Sequence, residues 1–369
     1  MLNYKQQGGK RMSAHEMLIA VMAVFALVGA VDRVLGNRLG LGEKFEEGIM
    51  AMGSLAMAML GIIVLAPVLA GLLRPVVVPV YEFLGADPAM FAGTILACDM
   101  GGAALAMEMT EDRNAALLGG ILCGSMLGAT IVFTIPVAMG ILREEDQSAM
   151  AKGILAGIVT IPVGILAGGL AAGFPIGMVL RNLVPTVAIA LLIVLGLWKT
   201  EKAMIAGFGW FGKGVTAVIT LGLAAAIVEE LTGFVLIPGL ASLEDGFSTV
   251  GEIAIVLAGA FPLVAVLTRL LRKPLMKLGG VLGINDAAAA GLLASLANSI
   301  ATFGLVKDMD QRGKVVNIAF AVSAAFVFGD HLGFTAGFAP EMLPAMIVGK
   351  LAGGVTAVAV ALWLTRKER

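Results

Sequence analysis

Long apolar runs and short polar interruptions alternate along the whole chain. Runs fall near 17–36, 48–73, 88–107, 114–142, 149–172, 178–198, 213–228, 250–271, 286–306, 314–338 and 344–364, and a shorter, proline-punctuated run at 75–84 precedes the third. A helix needs about 20 apolar residues to cross a hydrocarbon layer of about 30 Å, and most of these runs have that length. The pattern predicts an all-α polytopic integral membrane protein with about 9–11 transmembrane segments. The regions 75–107 and 274–306 read differently from simple spans. Each holds a short apolar piece, a turn (Gly85-Ala86-Asp87-Pro88; Gly283-Ile284-Asn285-Asp286) and a helix of small residues, which predicts broken or re-entrant helices.

These two regions also align with one another. Arg74-Pro75 matches Lys273-Pro274, Asp87 matches Asp286, and Ala92-Gly93 matches Ala290-Gly291. Ala97-Cys98-Asp99 lies over Ala297-Asn298-Ser299, Glu108-Met109 over Asp308-Met309, and Arg113 over Arg312. The run beginning at Leu155 matches the one at Leu351, and the offset stays between 196 and 200. An internal duplication follows. It divides the chain into a polar tail (1–16), a first transmembrane segment and loop (17–45), a membrane repeat (46–172), connecting segments with an acidic loop (173–249) and a second repeat (250–365).

Basic residues mark cytoplasmic loops. Lys199, Lys202 and Lys213 place one loop inside, and Glu229, Glu230, Glu244 and Asp245 place the next outside. Arg269, Arg272, Lys273 and Lys277 return inside, as do Lys307, Arg312, Lys314 and the C-terminal Arg366, Lys367 and Arg369 if 286–306 is a re-entrant hairpin. Treating 88–107 likewise makes the halves inverted repeats, the architecture in which broken helices meet at the membrane midplane. The basic tail (Lys5, Lys10, Arg11) then lies outside, against its charge.

Composition sharpens the class. The chain is 59% hydrophobic and only 14% charged, with mean hydropathy +0.98, and no polar stretch is long enough for a soluble domain. Its net charge of −1 offers no basic face for nucleic acid. The run from Met17 lacks a small-residue cleavage site and meets Asp32 and Arg33 at its end, so it reads as a span rather than a secretory signal. Cys98 and Cys123 form no metal-binding spacing, and His15 and His331 are too few for a histidine cluster, so no metal or cofactor is expected. No G-x-x-x-x-G-K-[ST] loop occurs, which excludes ATP hydrolysis by that route.

Several blocks resemble a known family. Phe45-Glu-Glu-Gly-Ile-Met-Ala-Met-Gly53, Pro79-Val-Tyr-Glu82, the stretch from Phe91 to Gly102, Ala156-Gly-Ile-Val-Thr-Ile-Pro162, Ala319-Phe-Ala-Val-Ser-Ala-Ala-Phe326, Gly329-Asp-His-Leu-Gly-Phe334 and Met346-Ile-Val-Gly-Lys350 are similar to the EutH-type permease of bacterial ethanolamine utilisation. The similarity runs from about residue 17 to 365. It implies a multi-pass protein of the bacterial inner membrane that admits ethanolamine to the cell. It supplies no site residues.

Those must come from the chemistry of the chain. An ammonium alcohol needs a carboxylate or carbonyl dipoles, a hydroxyl or amide, and little volume. Ionisable groups inside hydrocarbon are expensive, so Asp99, beside Gly101-Gly102, is the first candidate, with capping of the broken helix as its alternative role. Asp330, read as a mid-helix residue, is the second. The repeat sets Ser299 opposite Asp99 and Thr130 near Asp330, so each half offers one acid and one hydroxyl. Asn298 serves either substrate or backbone, and His331, about 100° round a helix from Asp330, is either proton-linked or structural. Glu82 reads as an interfacial residue or a vestibule acid. A transporter or channel for another small amine or amino acid stays open, as does homo-oligomerisation. An intramembrane aspartyl protease using Asp99 and Asp330 is disfavoured, because Val327 stands where the Gly-x-Gly-Asp signature has its first glycine.

Overall fold

The computed structural model describes residues 12–366, so the basic tail Lys5, Lys10 and Arg11, together with Lys367 and Arg369, lies outside the described residues. No strand occurs among the described residues. The elements are α1 (Ala14–Val34), α2 (Gly42–Phe83), α3 (Ala89–Ile95), α4 (Gly102–Met109), α5 (Arg113–Ile141), α6 (Glu144–Ala171), α7 (Ile176–Thr232), α8 (Leu243–Leu282), α9 (Asp286–Ala297), α10 (Ser299–Leu305), α11 (Gln311–Ala324), α12 (Asp330–Phe338) and α13 (Pro340–Leu364). Seven of them, α1, α2, α5, α6, α7, α8 and α13, are long and apolar enough to cross a membrane. The protein is an all-α polytopic membrane protein.

Element ends differ from the apolar pattern for physical reasons. The run 75–84 is no separate piece: α2 continues through Pro67, Pro75 and Pro79 to Phe83, and α8 continues likewise through Pro262 and Pro274. Neighbouring helices in a membrane bundle hold a helix together across a proline that would end it in water. The runs 178–198 and 213–228 join in α7, whose 57 residues would span about 85 Å if straight. They are not straight. Thr200 leaves helical geometry (φ −141°, ψ 51°), and Met204 packs on Gly196, so the chain turns back there. Trp198 and Trp210 flank the bend, exposed, as aromatic residues do at a membrane–water interface.

Some charges near helix ends are built into the fold, while others such as Arg33 and Glu46 are exposed. Asp32 is buried and accepts hydrogen bonds from the amides of Leu39, Leu41 and Gly42 at 2.9, 2.8 and 3.0 Å, closing the loop between α1 and α2. Lys314, expected as a loop charge, is instead buried against Asp146 at 2.5 Å. Arg312 beside it is also buried.

Two contacts recur about 200 residues apart. Gly61 of α2 lies against the Ile219 carbonyl of α7, and Gly259 of α8 lies against the Met22 carbonyl of α1; a Cβ at either glycine would overlap that oxygen. Arg113, opening α5, pairs with Glu341 at the start of α13 at 2.6 Å, while Lys314, near the start of α11, pairs with Asp146 near the start of α6. Asp146 adjoins the far end of α5 from Arg113. The starts of α5 and α11 are therefore separated by the length of a helix, about 40 Å.

Gly61→Val and Gly259→Val should each destabilise the bundle by about 1–3 kcal/mol through overpacking. Gly53→Ala and Gly140→Ala, where a Cβ meets nothing within 4 Å, should not. Thermal unfolding in detergent checks the contrast. At the buried pair, Lys314→Met should cost about 3–5 kcal/mol by stranding Asp146, and Asp146→Leu combined with Lys314→Met should recover most of that loss.

Candidate functional site

The candidate site is assembled from two interrupted helices. The first interruption follows α3. Leu96 is extended (φ −124°, ψ 142°), a single tight turn spans Cys98–Met100, and Gly101 follows at φ 87°. An L side chain is excluded at Gly101 twice over, by that conformation and by Ile62, which a Cβ would overlap. The amides of Met100 and Gly102 both donate to the Ala97 carbonyl, at 3.1 and 2.9 Å. They do not need the Asp99 carboxylate as a cap. Asp99 faces His331 instead, with Nε2 3.7 Å from Oδ1.

The second interruption splits the expected span 314–338. The chain leaves α11 at Ala325, passes Phe326 in the left-handed region (φ 65°), and resumes as α12 at Asp330. The open backbone lies along the end of α9: Phe326 N–H donates to the Ser295 carbonyl at 3.1 Å and Phe328 N–H to that of Leu296 at 2.8 Å. Gly329 packs so closely on Ala297 that a Cβ would overlap its carbonyl. Asp330 is thus the first residue of a helix, not the mid-helix residue implied by the apolar run. A negative charge is favoured at that end of a helix dipole.

These interruptions enclose a cavity of about 230 Å³. Asp99, Asp330 and His331 line it with Ser54, Phe133 and Phe326. Phe326 meets Phe133 edge-on at 5.5 Å and His331 at 5.2 Å between ring centres, so an aromatic cluster borders the cavity that the carboxylates line. Asp330 and Asn298 also line a second cavity, of about 500 Å³, with Lys44, Glu47, Thr268 and Arg269. Asp330 borders both spaces.

The other candidates lie elsewhere or are already engaged. Asn298 Oδ1 accepts the Ile300 amide at 2.7 Å and so caps α10, while the residue borders the larger cavity. Ser299 is fully buried, its hydroxyl without a hydrogen-bond partner, and lines neither cavity. Thr130 is also buried and lines neither; its hydroxyl donates to the Met126 and Val322 carbonyls at 2.7 and 3.1 Å. Glu82 is exposed near the end of α2.

Sequence reasoning missed Lys350. It is 1% exposed, its Nζ donates to the Ser125 carbonyl at 2.5 Å, and it lies within electrostatic reach of Asp99 and Cys98. The signal was present: Lys350 is the one charged residue in the apolar run 344–364. Ser125 belongs to a π-helical stretch of α5 (Leu118–Gly128), a rare register frequently found at functional sites. Donor atoms of Cys98, Asp99 and His331 also lie within 4.8 Å of one another, a set of mixed S, O and N ligands. The Lys350 amine beside them opposes a divalent ion.

Residues 14–364 match the family described as "Ethanolamine utilisation protein, EutH". A Listeria monocytogenes protein named "Probable ethanolamine permease EutH" is 58% identical, covering 96% of this chain and 95% of its own. Proteins of the same name from Escherichia coli and Salmonella typhimurium are 49% and 48% identical, each over 97% of both chains. No solved structure matches. With a family match across nearly all its length and relatives at about half identity or better, the chain belongs to the EutH family.

Proposed function

We propose that the protein carries ethanolamine across the membrane in its ammonium form, and that Asp99 and Asp330 receive the ammonium. The names of its relatives support the substrate. The observation that carries the site is one small cavity, about 230 Å³, lined by two carboxylates from two helix breaks and bordered by aromatic side chains inside a membrane bundle. That volume equals about seven or eight waters, ample room for a two-carbon amino alcohol of four heavy atoms. Carboxylates attract the cation, and the faces of Phe133 and Phe326 add cation–π attraction. Ser54 and His331 offer polar partners for the hydroxyl. Ser299 and Thr130 are left out of the binding set, and Asn298 belongs to the outer cavity.

An inverted duplication supports alternating access. The recurring glycine contacts include α1 in the first half and the second limb of α7 in the other, so the first repeat extends back to α1 and the second begins after Thr200. The two charge pairs hold corresponding helix starts at opposite ends of the bundle. Basic residues at the α7 bend and along the later part of α8 put the start of α2 on the inner side. The larger cavity, with Lys44, Glu47 and Arg269, is then an inner vestibule leading to Asp330.

Reconstituted protein should take up labelled ethanolamine saturably, and an inside-negative potential of about 100 mV should favour accumulation by about 2.3 kcal/mol, or ~50-fold. Asp99→Asn and Asp330→Asn should each reduce uptake at least about 100-fold while leaving a monodisperse protein. Normal uptake by both variants would end the carboxylate assignment. Cysteines placed at the exposed positions Glu111 and Gln311 should label from opposite sides of the membrane; labelling from one side only would reject inversion.

A further inference from the structure

Lys350 is a buried charge that the transport reading leaves unused. We propose that it is a fixed cation which sets the net charge of the binding cavity at −1, and so restricts the cavity to singly charged amines and excludes diamines. The inference rests on the transport reading and narrows its substrate class.

The charges around the cavity can be counted from the elements that enclose it. The turn at Cys98–Met100 brings Asp99, and α12 brings Asp330 and His331. Helix α13 brings Lys350, which is buried and within electrostatic reach of Asp99 but does not itself line the cavity. α2, α5 and the open segment before α12 contribute only Ser54, Leu55, Ala58, Ala129, Phe133 and Phe326, none of them titratable. Lys44, Glu47 and Arg269 of the vestibule are at least partly exposed, and Lys44 pairs with Glu47 at 2.6 Å, so water screens them.

Geometry fixes the state of the two basic groups. Lys350 Nζ donates to the Ser125 carbonyl, and a buried ammonium persists only beside an opposite charge, which Asp99 supplies. A buried imidazolium would need an acceptor at each ring nitrogen. His331 has none: Nδ1 is unpartnered, and Nε2 is 3.7 Å from Asp99, beyond hydrogen-bond distance. The imidazole is therefore neutral. With both carboxylates ionised, one ammonium leaves one net negative charge.

A monoammonium substrate brings that charge to zero. A diammonium of the same size leaves one uncompensated positive charge beside Lys350, in a space where charge interactions are weakly screened. The same excess charge disfavours a divalent metal at Cys98, Asp99 and His331.

The test uses the full chain in proteoliposomes, with labelled ethanolamine as the transported probe. The competitors are ethylenediamine, at a pH that protonates both amines, and n-propylamine, which has a methyl where the diamine has its second ammonium. In the wild type, ethylenediamine should compete at least about tenfold more weakly than n-propylamine. Lys350→Met should narrow or reverse that ratio, and Lys350→Arg should keep it. A lysine that only filled space would leave the ratio unchanged in Lys350→Met, and that result overturns the proposal. Equal competition in the wild type also overturns it, and needs no variant to fold. Absence of saturable ethanolamine uptake by the wild type would instead reject the transport reading.

Discussion

Backbone amides and carbonyls freed inside a membrane find no water to bond, and this fold is organised by how it satisfies them. Helical α3 stops short of Asp99, and α11 stops short of Asp330, so both acids sit at places where backbone groups lose their helical partners. One break is closed by the Ala97 carbonyl, which takes two amides. The other is closed by pairing with the end of α9, through Ser295 and Leu296. Such local closure requires backbones to approach within side-chain distance. Gly93 against the Gly119 carbonyl, Gly128 against that of Leu96, and Gly329 against that of Ala297 permit it, because a Cβ at any of the three would overlap the facing oxygen. The glycines thus let α5 close on the first break and the end of α9 close on the second.

Much of this frame is legible in the chain, because apolar length, glycine turns and intramembrane acids each have one dominant physical cause. The turn at Gly85 and the interruption before Gly101 lie where the sequence places them, and so does the turn at Gly283. Prolines mislead, since Pro75 and Pro274 are held within helices by neighbours that a linear pattern does not contain. The break at 325–329 is invisible for a related reason. Ala325-Phe326-Val327-Phe328 is as apolar as any helix, and only pairing with α9 makes its open form stable. That break moves Asp330 to a helix start. Lys350 was legible as a lone charge in an apolar run, but its partner is a carbonyl 225 residues away, and nothing in the linear pattern marks Ser125 as that acceptor.

The two stretches that align in sequence share contacts but not chemistry. Gly61 and Gly259 perform the same packing, and Arg113–Glu341 and Lys314–Asp146 occupy corresponding helix starts. The second pair is almost fully buried, whereas the first is open to solvent. The charges at one end of the bundle are therefore packed more tightly than those at the other.

The same inequality governs the cavity. Had both halves kept an acid at the α3–α4 break and its counterpart, two equivalent cation sites would face each other, and each substrate would repel the next. Instead Ser299 and Thr130, the counterparts of the two acids, are packed away, and their hydroxyls do not reach either cavity. Asp99 and Asp330 come from two different helix breaks and line one space, and Lys350 is the cation proposed to offset part of their charge. On the proposed reading, a frame built from paired contacts holds a site of unpaired chemistry, in which one cation would complete the charge balance and a second would have no partner.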